Sequence, residues 1–368
     1  MFYIIKQGEK ILSIEHELKK NGIEIIYQLD TLKTNSIAKK IATKLCDTFP
    51  EHNLNYNNLF IKLSRLNMYV ARMPAGMSEA TYYYKNSSIY FNSLLDLEND
   101  LDNFAIHECI HAIQEIKDKN NNLQKLGLCT FEGLKITGTA LNEAAVQIMT
   151  SKATGCENDI VTYYNITFPT NSPNYYPLEC NLVSQMAYIT GEYSLFESTL
   201  LSNDTFKNKY ISLTSPKAYY KIIENLDKLM ELQEKLIKLT NELNYAQSSK
   251  SILLNKKIDI CKKNISDTYL LTQNLILCSY FDKSFDTINT FEELENYRRK
   301  LYNYKSLLGI TEKYNFFNDY YIDKMSLLEK KYHYLEIYGE NIFPIINKGK
   351  KSLTLFNKLR NAFYAIKN

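Results

Sequence analysis

The sequence predicts an α+β protein whose first part mixes strands and helices and whose remainder is mainly helical. Three patterns carry that expectation. Aromatic and β-branched residues gather around turn formers between Met68 and Asn92, two apolar patterns of helical period follow over 104–116 and 134–152, and from Pro216 onward Leu and Ile recur at helical spacing. The chain divides on these shifts into an α+β subdomain with an edge hairpin (1–99), a helical subdomain (100–215) and a helical C-terminal domain (216–368).

The elements read in order as follows. Met1 to Lys10 has the character of a first β-strand, and no basic stretch leads a long apolar core there, so it does not read as a secretory signal. Ser36 to Leu45 has the spacing of an amphipathic helix. Ala80 to Phe91 reads as a β-hairpin turning at Asn86. The segment 104–116 carries helical spacing with acidic residues just ahead of it, as the helix dipole favours. A polar loop from Lys117 to Asn122 separates it from the second helical pattern, which closes near Gly155. Tyr163 to Pro177 is rich in Pro, Asn and Tyr and reads as irregular, ahead of an apolar-periodic segment from Leu178 to Leu200. In the last third, Ile222, Leu226, Leu229, Leu236 and Leu243 mark a long helix whose seam is broken by Gln233 and Thr240. Further helices are expected over Ile252 to Cys278, after a Thr290/Glu293 capping box, and over Tyr320 to Tyr338.

Bulk properties narrow the function classes. With 368 residues, 45% of them hydrophobic, the chain can bury a sizeable core. A net charge of +3 gives no field that would demand nucleic acid or an anionic membrane as partner. The late basic cluster Lys348–Lys351 reads as solvated surface. No uncharged apolar run approaches the roughly 18 residues that span a bilayer, so no membrane anchor is expected. The 7 cysteines are scattered without a Cys-x-x-Cys pair, which points to reduced thiols and a cytoplasmic location.

The chemistry concentrates in His107-Glu108-Cys109-Ile110-His111. Side chains four apart share one helix face, so both imidazoles can direct a nitrogen at one cation. Glu108, beside the first ligand, is placed to take a proton from a water that the cation has acidified. The chain has 5 histidines. Chance placement by composition would give this five-residue pattern with a probability of about 0.004. Cys109 turns away from the histidine face and reads as a small packed residue; Cys129 and Cys156 lack partners at ligand spacing, which excludes a Cys-based site. A third protein ligand is required, and Glu132 and Glu143 are the two carboxylates in range.

The segment Gly138-Thr139-Ala140-Leu141-Asn142-Glu143-Ala144-Ala145 resembles the Asn-Glu-Ala stretch on the second helix of thermolysin-like gluzincin metallopeptidases. The resemblance covers residues 100–155, and it implies a zincin-like core, one Zn2+ ion, and Glu143 as the third ligand. A place on a helix whose small residues Ala140, Ala144 and Ala145 allow close approach also sets Glu143 ahead of Glu132. Two departures stand out: a longer interval between the motifs, and Gln147 where those enzymes carry Asp. A neutral Gln147 can accept a hydrogen bond from a ligand imidazole but polarises it less than a carboxylate would.

These features together predict a zinc-dependent hydrolase acting on a peptide or protein, with His107, His111 and Glu143 holding the metal and Glu108 as general base. Nucleic acid and membrane are not expected as partners; self-association or a protein partner through the C-terminal helices is. The strand Ile89–Asn92 is expected either to border the cleft, where an extended peptide would pair with the sheet edge, or to be an ordinary core strand. An oxyanion donor is sought among Tyr176, Tyr188 and Tyr193. The rival class is a non-catalytic sensor or adaptor acting through its C-terminal helices, which would form stable complexes without turnover.

Overall fold

The computed structural model describes residues 14–74, 79–95, 101–119, 122–132, 135–245, 248–312 and 315–340. The strand expected over Met1–Lys10 and the cluster Lys348–Lys351 lie outside these residues. The architecture is α+β: a mixed sheet with helices, then a mainly helical half.

The N-terminal part runs α1 (Ile14–Lys20), β1 (Glu24–Gln28), α2 (Thr31–Thr48), α3 (Tyr56–Ser64), β2 (Asn67–Arg72), β3 (Ala80–Tyr83), β4 (Ser88–Asn92) and α4 (Leu101–Gln114). Helix α2 starts where the Asp30 side chain accepts the Lys33 N–H, and it buries Ile37, Ala38, Ile41, Ala42 and Leu45 along one stripe. It is longer than the expected 36–45 because capping at Asp30 adds a polar first turn. The sheet has the order β1-β2-β4-β3, with β2 and β4 parallel and the other pairs antiparallel.

The hairpin of β3 and β4 forms as expected, with Tyr83 opposite Ser88. The hairpin lies at the sheet edge, and of the two readings of Ile89–Asn92 the core strand is the one observed. Ile89–Asn92 pairs with β2 on one side and β3 on the other, so β4 is internal and β3 is the outer strand. That β4 directly precedes the motif helix is local in the sequence, but the crossover that brings β2 alongside β4 is a long-range pairing that leaves no local mark.

Next come two short hairpins, β5 (Glu115–Lys117) with β6 (Leu123–Leu126) and β7 (Thr130–Glu132) with β8 (Lys135–Thr137), then α5 (Thr139–Thr154). Helix α5 thus starts five residues after the expected Leu134, because Lys135–Thr137 pairs as a strand. The expected irregular stretch likewise contains β10 (Ile166–Thr170), paired to β9 (Asp159–Tyr163) around left-handed Tyr164 and Asn165. Pro169 is tolerated there because the N–H it lacks would lie on the side away from β9, where β10 is bridged to Ile310 through Thr167. The apolar segment that follows is two helices, α6 (Pro177–Thr190) and α7 (Glu192–Leu201), divided at Gly191, and α8 (Thr205–Leu213) completes this part.

The helical half contains α9 (Pro216–Asn244), α10 (Ser248–Asp286), α11 (Phe291–Tyr304) and α12 (Phe316–Tyr338). The Ser215 cap with Pro216 behind it and the Thr290/Glu293 capping box both form. The polar interruptions of α9 face inward or back onto the helix: Gln233 donates to Glu179 on α6 at 2.5 Å, and Thr240 donates to its own Leu236 carbonyl at 2.9 Å. One apolar core runs from Ile37 on α2 to Leu335 on α12. Among the described residues no helix is long and apolar enough to cross a membrane.

Helix α5 lies at the centre of this core, with nearly every residue from Ala140 to Ala153 buried. Its N-terminus begins at Gly138, which has no side chain to cap with, and the cap comes from another helix. Asp227 of α9 accepts the Gly138 N–H at 2.8 Å and the Ala140 N–H at 3.0 Å. A carboxylate there satisfies two otherwise orphaned donors and complements the helix dipole. Asp227→Ala is expected to cost about 1–2 kcal/mol of stability, measured by urea unfolding; an unchanged midpoint would show that water replaces the cap without loss.

Candidate metal centre

Helix α4 presents Ala105, Ile106, Cys109, Ile110 and Ala112 to the core, all buried, and Cys109 is among them as expected for a packed apolar residue. The alternate face carries His107 and His111 one turn apart. Small residues on α5, Ala140, Ala144 and Ala145, bring the two helices close enough for Glu143 to meet both imidazoles.

The three groups converge on a common point. His107 Nε2 lies 3.0 Å from His111 Nε2 and 3.3 Å from Glu143 Oε2, while His111 Nε2 lies 3.6 Å from Glu143 Oε1. Ligand atoms held tetrahedrally by zinc at 2.0–2.2 Å sit about 3.4 Å apart, so the spacing is that of one face of such a site. His111 and Glu143 are buried, and His107 is partly so. Glu143 Oε1 has no hydrogen-bond partner although it is buried. Facing His111 Nε2 at 3.6 Å, that oxygen is one a cation between the two groups would satisfy.

The outer hydrogen bonds fix which nitrogen faces inward. Gln147 Oε1 accepts from His107 Nδ1 at 3.0 Å, and Gln114 Oε1 accepts from His111 Nδ1 at 3.1 Å. Amide oxygens only accept, so both imidazoles carry a proton on Nδ1, and in the neutral rings the Nε2 lone pairs face Glu143. Two lone pairs at 3.0 Å repel unless a positive charge lies between them. Without a metal the same charge can be supplied by a proton: burial pulls His107 down, but a hydrogen bond from its Nε2 to Glu143 and the charges of Glu108 and Glu143 outweigh this and raise it. Burial pushes the Glu143 carboxyl up, and the facing histidines overcome it and hold Glu143 well below the usual carboxylate range. Two imidazoles and one carboxylate suit several divalent first-row ions.

Glu108 points from the same helix to the sheet, where its Oε2 accepts the backbone N–H of Tyr82 on outer strand β3 at 2.6 Å. This carboxylate therefore lies between α4 and the sheet edge. Tyr176 is the one of the three expected tyrosines that reaches the group. Its ring stacks 6.4 Å from that of His107, and burial, then the charges of Glu143 and Glu108 and a hydrogen bond to Glu143, raise its hydroxyl well above the usual range. It sits at the start of α6 with φ 49, a left-handed conformation uncommon for a bulky residue.

Tyr188 and Tyr193 are elsewhere. Tyr188 donates to the Lys300 carbonyl, and Tyr193 stacks on His52 at 4.5 Å. Glu132 ends β7, and its side chain lies outside the described residues. Sequence reasoning missed Gln114 and the Tyr82 amide. Gln114 stands three residues after His111, a spacing that puts both on one face and was open to notice; the Tyr82 amide depends on the sheet order and was not.

The chain is thus an α+β protein with a buried His107/His111/Glu143 group able to hold a metal ion. Comparison with protein-family models, with curated proteins and with solved structures found no match.

Proposed function

We propose that the chain is a zinc-dependent metallopeptidase of gluzincin type, with a peptide or protein as substrate. The convergence of His107 Nε2, His111 Nε2 and the Glu143 carboxylate within 3.0–3.6 Å, with Glu108 on the same helix, carries this reading. Zinc held by these three groups supplies Lewis acidity toward a water and a peptide carbonyl and lets that water lose a proton near neutral pH.

The chain's own residues do the rest. Glu108 accepts the proton of the attacking water and delivers it to the leaving amine, a single carboxylate serving as base and then acid. Tyr176, beside Glu143, donates a hydrogen bond from its hydroxyl to the oxygen that gains charge in the tetrahedral transition state. Outer strand β3 offers its backbone to an extended substrate, and the Tyr82 N–H that Glu108 holds becomes available when Glu108 turns to the water.

Metal content by mass spectrometry tests the reading without a known substrate. Wild type is expected to carry about one zinc per chain and Glu143→Ala none, while Glu108→Gln keeps the metal and loses at least about 100-fold in chelator-sensitive cleavage of a peptide library. A wild type that takes up no zinc on supplementation, or a Glu108→Gln protein that still cleaves, ends it.

A further inference from the structure

Neutral amides back both imidazoles of the metal centre, and the two amides are held in different ways. Gln147 Oε1 accepts from His107 Nδ1, and its Nε2 makes a long 3.4 Å hydrogen bond to Ser151 Oγ on the same helix. A serine hydroxyl can rotate from acceptor to donor. A carboxylate at 147 would therefore still find a donor on either side.

Gln114 has no such freedom. Its Nε2 donates to Asn142 Oδ1 at 3.1 Å, and its Oε1 accepts from His111 Nδ1 at 3.1 Å and from Asn142 Nδ2 at 3.2 Å. The Leu128 N–H donates to the same Asn142 Oδ1 at 3.0 Å, which fixes that atom as the acceptor. A carboxylate at 114 would press oxygen against oxygen with no proton between them. Both amides are buried, and left-handed Gly127 (φ +52) lies against them: a Cβ there would overlap Asn142 Oδ1 and Gln114 Nε2.

Resting on the zinc reading above, we propose that Gln147 and Gln114 are positioning residues that orient the two ligand imidazoles without adding negative charge, with 147 an adjustable position and 114 a locked one. A carboxylate behind an imidazole raises its basicity and its hold on a metal. Here Glu143 is the only anion among the three ligands, and neither outer partner adds a second. The metal is held less tightly than carboxylate backing would hold it, which favours exchange and leaves more of its positive charge for the substrate carbonyl.

The test is the zinc dissociation constant at one pH, by competition with a chromophoric chelator, alongside the unfolding midpoint of each metal-free protein. Gln147→Glu is expected to bind zinc about 10-fold tighter than wild type, Gln147→Ala about 10-fold weaker, and Gln114→Glu about 10–100-fold weaker. Structural damage cannot produce the gain at 147. Gln147→Asp repeats the test with a shorter carboxylate, and failure of both acidic variants to fold overturns the proposal, which requires position 147 to accept an anion. It is also overturned if neither acidic variant at 147 tightens binding, or if Gln114→Glu tightens it; zinc binding by wild type survives either result. Absence of zinc from wild type overturns the proposal and the metallopeptidase reading together.

Discussion

Replacing Glu179 by Gln is expected to remove about 3 kcal/mol of pH-dependent destabilisation between pH 5 and pH 8. Glu179 lies in the first turn of α6 with no exposed surface; its Oε1 accepts from Gln233, and its Oε2 has no partner. Burial raises its carboxyl to about 7 from the usual 4.5, more than its hydrogen bonds lower it. The folded state therefore keeps the proton over a range in which the unfolded chain has lost it. Below 4.5 both states are protonated and the carboxyl imposes no such penalty. From 4.5 to 7 each rise in pH favours the unfolded chain, and above 7 the penalty is complete. Gln at 179 keeps the oxygen that Gln233 needs and cannot ionise. Urea unfolding at pH 5 and pH 8 should show wild type losing stability relative to the variant. Parallel losses in the two proteins would mean that Glu179 ionises freely.

Gln273→Leu should cost about 3–5 kcal/mol, because one amide completes several buried contacts at once. From α10, Gln273 Nε2 donates to the Gly309 carbonyl at 2.9 Å and its Oε1 accepts the Gly309 N–H at 2.7 Å. The same oxygen accepts from Gln185 at 3.1 Å, and Gln185 in turn accepts from Tyr304 at 2.8 Å. Asn181 joins the network to the Pro169 and Leu307 carbonyls. A leucine fills the space but removes the donor and the acceptor that Gly309 uses on Gln273, and the loss of both sets the magnitude. A loss under 1 kcal/mol in urea unfolding would show that the segment 305–310 finds other donors. The variant is expected to leave the ligand spacing unchanged, so zinc content per folded chain separates this effect from damage at the metal centre.

Features written in consecutive residues were legible in the sequence. His107, Glu108 and His111 needed only the four-residue period of a helix, and the caps at Ser215 and Thr290 needed three or four residues each. Glu143 was legible because it stands on a helix of small residues. The structure adds what non-local pairing decides: the outer position of β3, the strand character of Ile166–Thr170, and the partners of the imidazoles. Gln114, Asn142 and Gly127 are separated along the chain and meet only because the β5–β6 hairpin folds back on α4 and α5. Tyr176 could be named as one of three tyrosines but not singled out, since its reach depends on a left-handed backbone at the start of α6.

The three ligand side chains differ in exposure: 14% for His107 against 1% for His111 and 2% for Glu143. That asymmetry gives the centre a front door. An ion arriving from solvent would meet His107 first and complete its shell with the deeper pair, and a chelator drawing it out would have to loosen His107 before reaching the others. The rate of metal exchange would therefore follow the mobility of one imidazole and its Gln147 support, while the equilibrium hold would be shared by all three side chains.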